Sequence, residues 1–254
     1  MEQFERRQKI AELVSSRGRV KVGELAAMFD VSEVSVRADL ADLEAKGLLS
    51  RVHGGAVSSY KSYYNMTMHQ RLSVNRESKD RIAARVVGMI EERDTIMLNS
   101  GTTTLAIFRR IPAEMHLSLV TNSIAIALEA AGNPNFNVVL LGGSVNARYQ
   151  FVYGDNALSQ LKEYHADKLI LSVDGISPAG GFTTYYDREV EIDRVMLANS
   201  ATHIVAADSS KLGRTAFAHI APVSAADYIV TNADRAAGED LSELREIVPQ
   251  LITV

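Results

Sequence analysis

An α/β fold in two parts is what the hydropathy pattern predicts. Through residue 58, apolar residues recur at helical spacing in three short stretches, followed by two short apolar runs around a Gly-Gly pair. From about residue 77, runs of four or five aliphatic residues alternate with helical periods, and each run ends in small hydroxylated or amide residues. The first pattern is that of a winged helix-turn-helix. The second is that of a larger Rossmann-like α/β domain with a mostly parallel sheet.

The first helix is predicted over about Phe4 to Ser16, with Ile10, Leu13 and Val14 on one face and Arg17-Gly18-Arg19 as its break. Lys21 to Phe29 reads as a second, short helix with Val22, Leu25, Ala26 and Phe29 inward. A turn at Asp30-Val31-Ser32 separates it from a third, in which Val36, Leu40 and Leu43 fall at i, i+4 and i+7 and form one buried stripe. Asp30 or Ser32 is placed to cap its first turn, and Gly47 to stop it. Glu33, Val34, Ser35, Arg37 and Ala38 are left clustered early on the exposed side, where a recognition helix meets the major groove. Taken alone, this is an ordinary amphipathic helix with a solvated face; its neighbours make it a reader of DNA. Leu48 to His53 and Ala56-Val57 are two short strands around Gly54-Gly55, a hairpin in the position of a wing.

Arg6, Ile10 and Val14, then Ser32 to Leu40, then Arg51-Val52-His53-Gly54-Gly55-Ala56 resemble the N-terminal domain of the DeoR family of bacterial transcriptional regulators, with the same spacing. Ser35 stands where that family usually has Thr. It keeps the hydroxyl for a phosphate but loses the methyl that touches thymine.

Composition bounds the rest. The chain has 254 residues, 46% hydrophobic and 23% charged, which suits one small and one large domain. With no cysteine, disulfides, thiolate metal sites and a cysteine nucleophile are excluded. No signal peptide or run of about 18 apolar residues is seen, so a cytoplasmic protein without a membrane partner is expected. The net charge of −4 divides unevenly: residues 1–61 hold ten Lys/Arg and nine Asp/Glu (+1), and residues 62–254 seventeen and twenty-two (−5). DNA binding would therefore depend on placing Arg17, Arg19, Lys21, Arg37 and Arg51 toward phosphates with the acids turned away. The modest affinity of one copy favours a homo-oligomer, a dimer or tetramer, on repeated half-sites.

The domain boundaries expected are 3–58 for DNA binding, 59–76 for a linker and 77–254 for the α/β domain. Ser58 to Asn65 is polar and aromatic without periodicity; it reads as linker or as an arm packed through its tyrosines. Beyond it, Ile82, Val86, Val87 and Ile90 mark a helix. Strands are predicted at Thr95–Leu98, Leu117–Thr121, Val138–Leu141, Leu169–Val173, His203–Ala207, Tyr228–Thr231 and Leu251–Val254, with helices at Ile124–Ala131, Ala157–Tyr164 and Glu189–Ser200.

The loops at the carboxyl ends of these strands carry the chemistry. Ser100, Gly101, Thr102, Thr103 and Thr104 lead from a strand into a helix, offering backbone N–H groups and hydroxyls to an anion. Asn122, Gly142-Gly143, Asp174-Gly175 and Lys211 come after other strands, and open parallel sheets bind ligands at those ends. One Ser-Gly-Thr turn would be ordinary capping; five such loops on one edge indicate a site for a phosphorylated sugar or polyol effector. These loops, with Tyr153-Gly154, Gly180-Gly181, Thr183-Thr184 and Ala207 to Lys211, resemble the sensor domain of the same family, so the likeness spans about residues 3 to 254. It implies a fold similar to ribose 5-phosphate isomerase and a sugar phosphate or related metabolite as inducer of a carbohydrate-operon repressor.

The rival reading is a sugar-phosphate isomerase, with Glu189, together with Asp174 and Lys211, cast as the base and the polar groups that stabilise an enediolate. The second acid that the isomerase carries after Asp174-Gly175 is replaced by Ile176-Ser177-Pro178, and Pro178-Ala179 stands where its lysine precedes Gly180. No catalytic set, cofactor or metal is therefore expected: nucleotide-binding glycine motifs and His-Glu-x-x-His are absent, and the six histidines lack metal spacing. His53 alone among them is placed to touch DNA, from the wing.

Overall fold

The computed structural model describes residues 3–17, 19–45, 48–58, 66–232 and 238–254. Gly18, Gly47 and the polar-aromatic stretch 59–65, read above as breakers and linker, lie outside the described residues. The chain divides into two units, Met1–Arg76 and Glu77–Val254.

In the first unit, α1 (Gln3–Arg17), α2 (Val22–Phe29) and α3 (Glu33–Ala45) surround one core of Ile10, Val14, Leu25, Val36, Leu40 and Leu43. The i, i+4, i+7 stripe of α3 is buried as its spacing requires. Asp30 ends α2 in the left-handed conformation (φ 52°), a region Asp tolerates, while the Ser32 hydroxyl accepts the Ser35 N–H at 3.1 Å and caps α3. The wing is β2 (Leu49–Val52) and β3 (Gly55–Ser58), joined by a strand that propensity does not announce, β1 (Arg19–Lys21). Only Val20 of β1 points inward, so its partner β3 fixes it rather than its own pattern. A Cβ at Gly55 would lie 2.1 Å from the Val20 carbonyl oxygen, so this close strand pairing needs glycine. Within the stretch read as linker, α4 (Met68–Ser73) is helical and packs against α1. Thr67 and Gln70 form a capping box at its start, a short signal easily passed over in a polar stretch.

α5 (Arg76–Val87) leads into the second unit, whose centre is seven parallel strands. In chain order they are β4 (Thr95–Leu98), β5 (Leu117–Thr121), β6 (Phe136–Leu140), β9 (Ala166–Leu171), β12 (Ser200–Ala206), β14 (Tyr228–Thr231) and β15 (Gln250–Thr253). Across the sheet they run β15-β14-β12-β9-β4-β5-β6. Three match their predicted bounds. Four begin one to three residues earlier, where polar residues such as Asp167, Lys168 and Thr202 are carried into the ladder by their neighbours. The crossover helices are α6 (Thr102–Phe108), α7 (Ile124–Ala130), α8 (Asp155–Leu161), α9 (Asp187–Ala198) and α10 (Gly238–Ile247). Met97, Leu169, Leu171 and Val205 meet Leu161, Ile192, Met196 and Leu244 in one core layer. Ile96 and Leu98, also buried, alternate with Met97 onto the opposite face.

Two small antiparallel additions have no counterpart in the sequence reading: the hairpin β7 (Ser144–Asn146) and β8 (Phe151–Tyr153), and a sheet of β10 (Gly175–Ser177), β11 (Gly181–Thr184) and β13 (Ala218–Ala221). Their strands are three or four residues long and rich in glycine and hydroxyl groups, below what alternation can reveal.

Candidate DNA-reading face and effector site

α3 is held by charge as well as by its apolar stripe. Asp39 lies on its buried side, and its carboxylate accepts hydrogen bonds from Arg6 Nε at 2.7 Å, Arg7 Nε at 2.8 Å and Gln3 Nε2 at 3.3 Å, all from α1. Burial alone would raise the Asp39 pKa; the three hydrogen bonds outweigh it and hold the carboxyl below its usual range. Arg7 also reaches Asp42 at 2.9 Å.

On the opposite side of α3, Glu33, Val34, Arg37 and Ala38 are exposed, with Val34 at 76%, while Ser35 is half-buried beside the Ser32 hydroxyl at 3.0 Å. Arg19, Lys21 and His53 are exposed, and their side chains make no bond among the described residues. Arg37 and Arg51 differ. Arg37 Nη2 pairs with Glu33 Oε2 at 3.0 Å, and Glu44 takes both the Arg51 backbone N–H (2.7 Å) and its Nε (2.6 Å). Those two bonds draw the Glu44 pKa below the usual carboxylate range. The acids are thus not all turned away from the cations, contrary to the expectation from sequence; two of them sit on the cations. The Arg17 side chain lies outside the described residues.

In the second unit the chain runs from β4 out through β5 to β6, then returns to place β9 on the other side of β4. The topological switch point, where the loops after adjacent strands part to opposite sides, therefore lies between β4 and β9. The loop after β4 supplies Asn99 and Ser100 to Thr104; the loop after β9 supplies Ser172 and Asp174-Gly175. Asn99 ties them together. Its Nδ2 donates to the Ser172 carbonyl at 2.9 Å and to Asp193 Oδ1 at 3.1 Å, and its Oδ1 accepts the Ser172 N–H at 2.9 Å. Asp174 Oδ2 accepts from the Tyr185 N–H at 3.1 Å and the Thr184 hydroxyl at 3.3 Å, and its Oδ1 lies 3.8 Å from Lys211 Nζ.

Glu189 and Asp193, one turn apart on α9, are buried beside these groups. Burial first, then the charges of Glu189 and Asp174, push the Asp193 pKa well above the ordinary value against the opposing bond from Asn99. Sequence reasoning reaches Glu189 only as an enzymatic base and passes over Asp193. An acid at i+4 from another acid on a predicted helix is the available signal, and it is common on solvated faces.

The threonines after β4 are not equivalent. The Thr104 hydroxyl donates to the Asn99 carbonyl at 2.9 Å, with the Gly101 carbonyl at 3.0 Å. The Thr102 and Thr103 hydroxyls make no hydrogen bond among the described residues. Gly101 has extended backbone (φ 166°), but a Cβ there would fall 2.0 Å from the Ser172 hydroxyl. Packing between the two loops therefore favours glycine there, since any side chain would displace the Ser172 hydroxyl, with or without an anion. Gly175 is similarly confined: a Cβ there would lie 2.5 Å from Thr183 Oγ1 and 2.6 Å from the Arg214 carbonyl oxygen.

Asn122 and Gly142-Gly143 lie farther along the same edge, beside the β7–β8 hairpin. Asn122 is fully buried, its carbonyl accepting the Val152 N–H at 2.8 Å; the Gly142 N–H donates to Gln160 Oε1 at 2.9 Å; and Gly143 would place a Cβ 2.6 Å from the Tyr153 carbonyl. The structure thus brings Ser100 to Thr104, Asp174, Gly175 and Lys211 together at the switch point. Asn122 and Gly143 anchor the hairpin, and Gly142 is tied to α8 through Gln160.

A helix-turn-helix joined to a parallel-sheet unit with a polar switch point defines a two-domain regulator. The DeoR-like helix-turn-helix domain matches residues 6–62, and the DeoR C terminal sensor domain matches residues 74–233. The chain belongs to the DeoR family of DNA-binding transcriptional regulators, which sets aside the isomerase reading. It is 31% identical over 233 residues to the glycerol-3-phosphate regulon repressor of Escherichia coli strain K12, covering 92% of each chain. It is 32% identical over 255 residues to the putative aga operon transcriptional repressor of Escherichia coli O157:H7 (98% and 93%), and 32% over 228 residues to the regulator GlpR of Haloferax volcanii (90% and 89%). Among solved structures, a ribose 5-phosphate isomerase from Methanocaldococcus jannaschii gives a TM-score of 0.39 at 16% identity over 54% of each chain, too distant to bear on chemistry. No helix among the described residues is long and apolar enough to cross a membrane.

Proposed function

We propose that the chain is a cytoplasmic repressor of a carbohydrate-utilisation operon, released from its operator by a phosphorylated sugar or polyol. Residues 3–58 bind the operator through Glu33, Val34, Ser35, Arg37 and Ala38 of α3, with Arg19, Lys21, Arg51 and His53 toward the backbone. Residues 77–254 hold the effector and join copies into a dimer or tetramer on repeated half-sites, and the segment between, whose α4 packs on α1, connects the two. The exposed early turns of α3, clamped to α1 through Asp39, support the first part.

For the second part, the observation that carries most is the switch point: Thr102 and Thr103, whose hydroxyls make no hydrogen bond among the described residues, follow β4, and the adjacent loop after β9 carries Asp174, 3.8 Å from Lys211. Lys211 and the first N–H groups of α6 suit a phosphate; Asp174, Glu189 and Asp193 suit the hydroxyls of a polyol. The name of the Escherichia coli relative, a glycerol-3-phosphate regulon repressor, supports the same effector class. Release requires the effector to favour the conformation that binds DNA less well.

Genomic fragments captured by the full-length protein supply the operator, and a panel of phosphorylated and unphosphorylated sugars and polyols is then tested for its release. A phosphorylated compound should release the DNA, and Lys211→Met should weaken that response about 10–100-fold, the scale of one hydrogen bond to a charged group. Capture of no preferred fragment would refute the repressor; release only by unphosphorylated compounds would refute the effector class.

A further inference from the structure

We propose that Glu33 is a selectivity residue of the DNA face, the resting counterion of Arg37 that disfavours phosphate and is satisfied only by a matching base pair. The inference rests on the reading that α3 meets DNA, and it gives Glu33 a role opposite to that of the cations around it.

Glu33 is the first residue of α3, one turn before Arg37, and the two side chains pair at 3.0 Å while each stays more than half exposed. The pair is therefore no device of the core. The carboxylate is favoured where it stands, because the first turn of a helix carries the positive end of its dipole. It also lies beside α2, where a Cβ at Gly23 would meet Glu33 Oε1 at 3.7 Å, an ordinary contact.

A phosphate that draws Arg37 away must accept a carboxylate as neighbour, and like charges in contact oppose binding. A G·C pair presents something different: two acceptors on guanine for the guanidinium and the amino donor of cytosine for a carboxylate. One residue then penalises the wrong partner and rewards the right one, which is how discrimination exceeds mere attraction. Phosphate affinity has other sources in this unit, namely Arg19, Lys21 and His53, whose side chains are exposed and make no bond among the described residues. Glu44 on Arg51 does not compete for this role, because it also accepts the Arg51 backbone N–H and so fastens the wing strand to α3.

The test uses the full-length protein and a pool of random-sequence DNA duplexes, from which bound molecules are sequenced. Glu33→Gln preserves shape, and the thermal unfolding midpoint should fall only slightly, by the helix-dipole interaction and the exposed ion pair that the carboxylate makes. The variant should bind the unselected pool about 3–10-fold tighter, with a salt dependence steeper by about 0.9 in log–log slope, the signature of one added phosphate contact. Its enrichment of the wild-type motif should fall. In the Arg37→Ala background, Glu33→Gln should produce no gain, since the effect passes through Arg37. Unchanged affinity and enrichment in Glu33→Gln, or a gain that persists without Arg37, would overturn the proposal. A wild-type protein that enriches no motif at all would overturn the DNA reading beneath it, an outcome the variants cannot imitate.

Discussion

Each unit holds an aspartate with almost no exposed surface, Asp39 in the first and Asp193 in the second, and the two are treated in opposite ways. Asp39 in the DNA-binding unit is enclosed by three donors from α1, two of them guanidinium groups, and its carboxyl is held below the ordinary range. Asp193 in the sensor unit is equally buried, faces Glu189 and Asp174, and is bonded by a neutral amide, so it is pushed well above that range. The first arrangement is complete in itself and fixes a helix. The second concentrates acids at a switch point and becomes more favourable when something donates protons or hydrogen bonds to it. A reading head needs one geometry, whereas a sensor needs a site whose energy changes when it is filled.

The largest way to break the contrast is Asp39→Ala. It leaves Arg6 and Arg7 without their shared acceptor at a buried position, and removing one partner of such a pair costs about 3–5 kcal/mol. Calorimetry should show the N-terminal transition lowered or lost and the C-terminal one unmoved. The pH dependence comes from the lowered carboxyl. Its stabilisation is fully present above the ordinary value of 3.8 and is lost as pH falls through the lower folded value. Wild type should thus lose N-terminal stability only in strong acid, and Asp39→Ala should show less of that loss. If both transitions shift together, Asp39 is not the local clamp described.

Asp39 also marks where sequence reasoning stops. The stripe of Val36, Leu40 and Leu43 is legible because burial follows from spacing alone, and Thr95–Leu98 or Tyr228–Thr231 are legible because an unbroken aliphatic run has few other fates. Asp39 sits on the same buried side as Leu40, but an acid there is explained only by two arginines more than 30 residues earlier. At the switch point the loops after β4 and β9 are found by their position behind strands. The glycines in them mislead: Gly101 answers to Ser172, 71 positions away, so nothing local shows that its missing side chain serves packing. The same holds for Asn122 and Gly142, whose partners belong to a hairpin and helix that form later in the chain.

A smaller effect sharpens the other half of the comparison. Asp193→Asn copies the protonated acid and keeps an oxygen for the Asn99 amide. A carboxyl with a raised folded pKa contributes stability that is fully present below its unfolded value and is lost as pH rises through the folded one. The sensor transition of wild type should therefore weaken as pH rises, and that of Asp193→Asn should not. At neutral pH the variant should be the more stable by on the order of 1–3 kcal/mol, the scale of a poorly satisfied buried polar group. Urea unfolding between pH 4 and 8 measures this. A variant less stable than wild type throughout that range would mean that Asp193 is ionised and satisfied, and the contrast with Asp39 would disappear.

The finest division lies within the sensor unit, between two neighbouring threonines. The Thr104 hydroxyl is occupied by the carbonyl oxygens of Asn99 and Gly101, while that of Thr103 has no bond among the described residues, though both residues are buried. Thr104→Ala should therefore cost stability, about 0.5–1.5 kcal/mol, because it strips a hydrogen bond that shapes the loop entering α6. Thr103→Val, which keeps the buried methyl and removes only the hydroxyl, should leave the unfolding midpoint nearly unchanged. If the switch point holds the effector, its loss should instead appear as about 2–10-fold weaker binding of the releasing compound, the same energy read in a different equilibrium. Thermal unfolding with and without that compound measures both quantities in one experiment. Equal destabilisation by the two substitutions, with ligand affinity untouched, would make the triple threonine a structural turn and move the effector site away from α6.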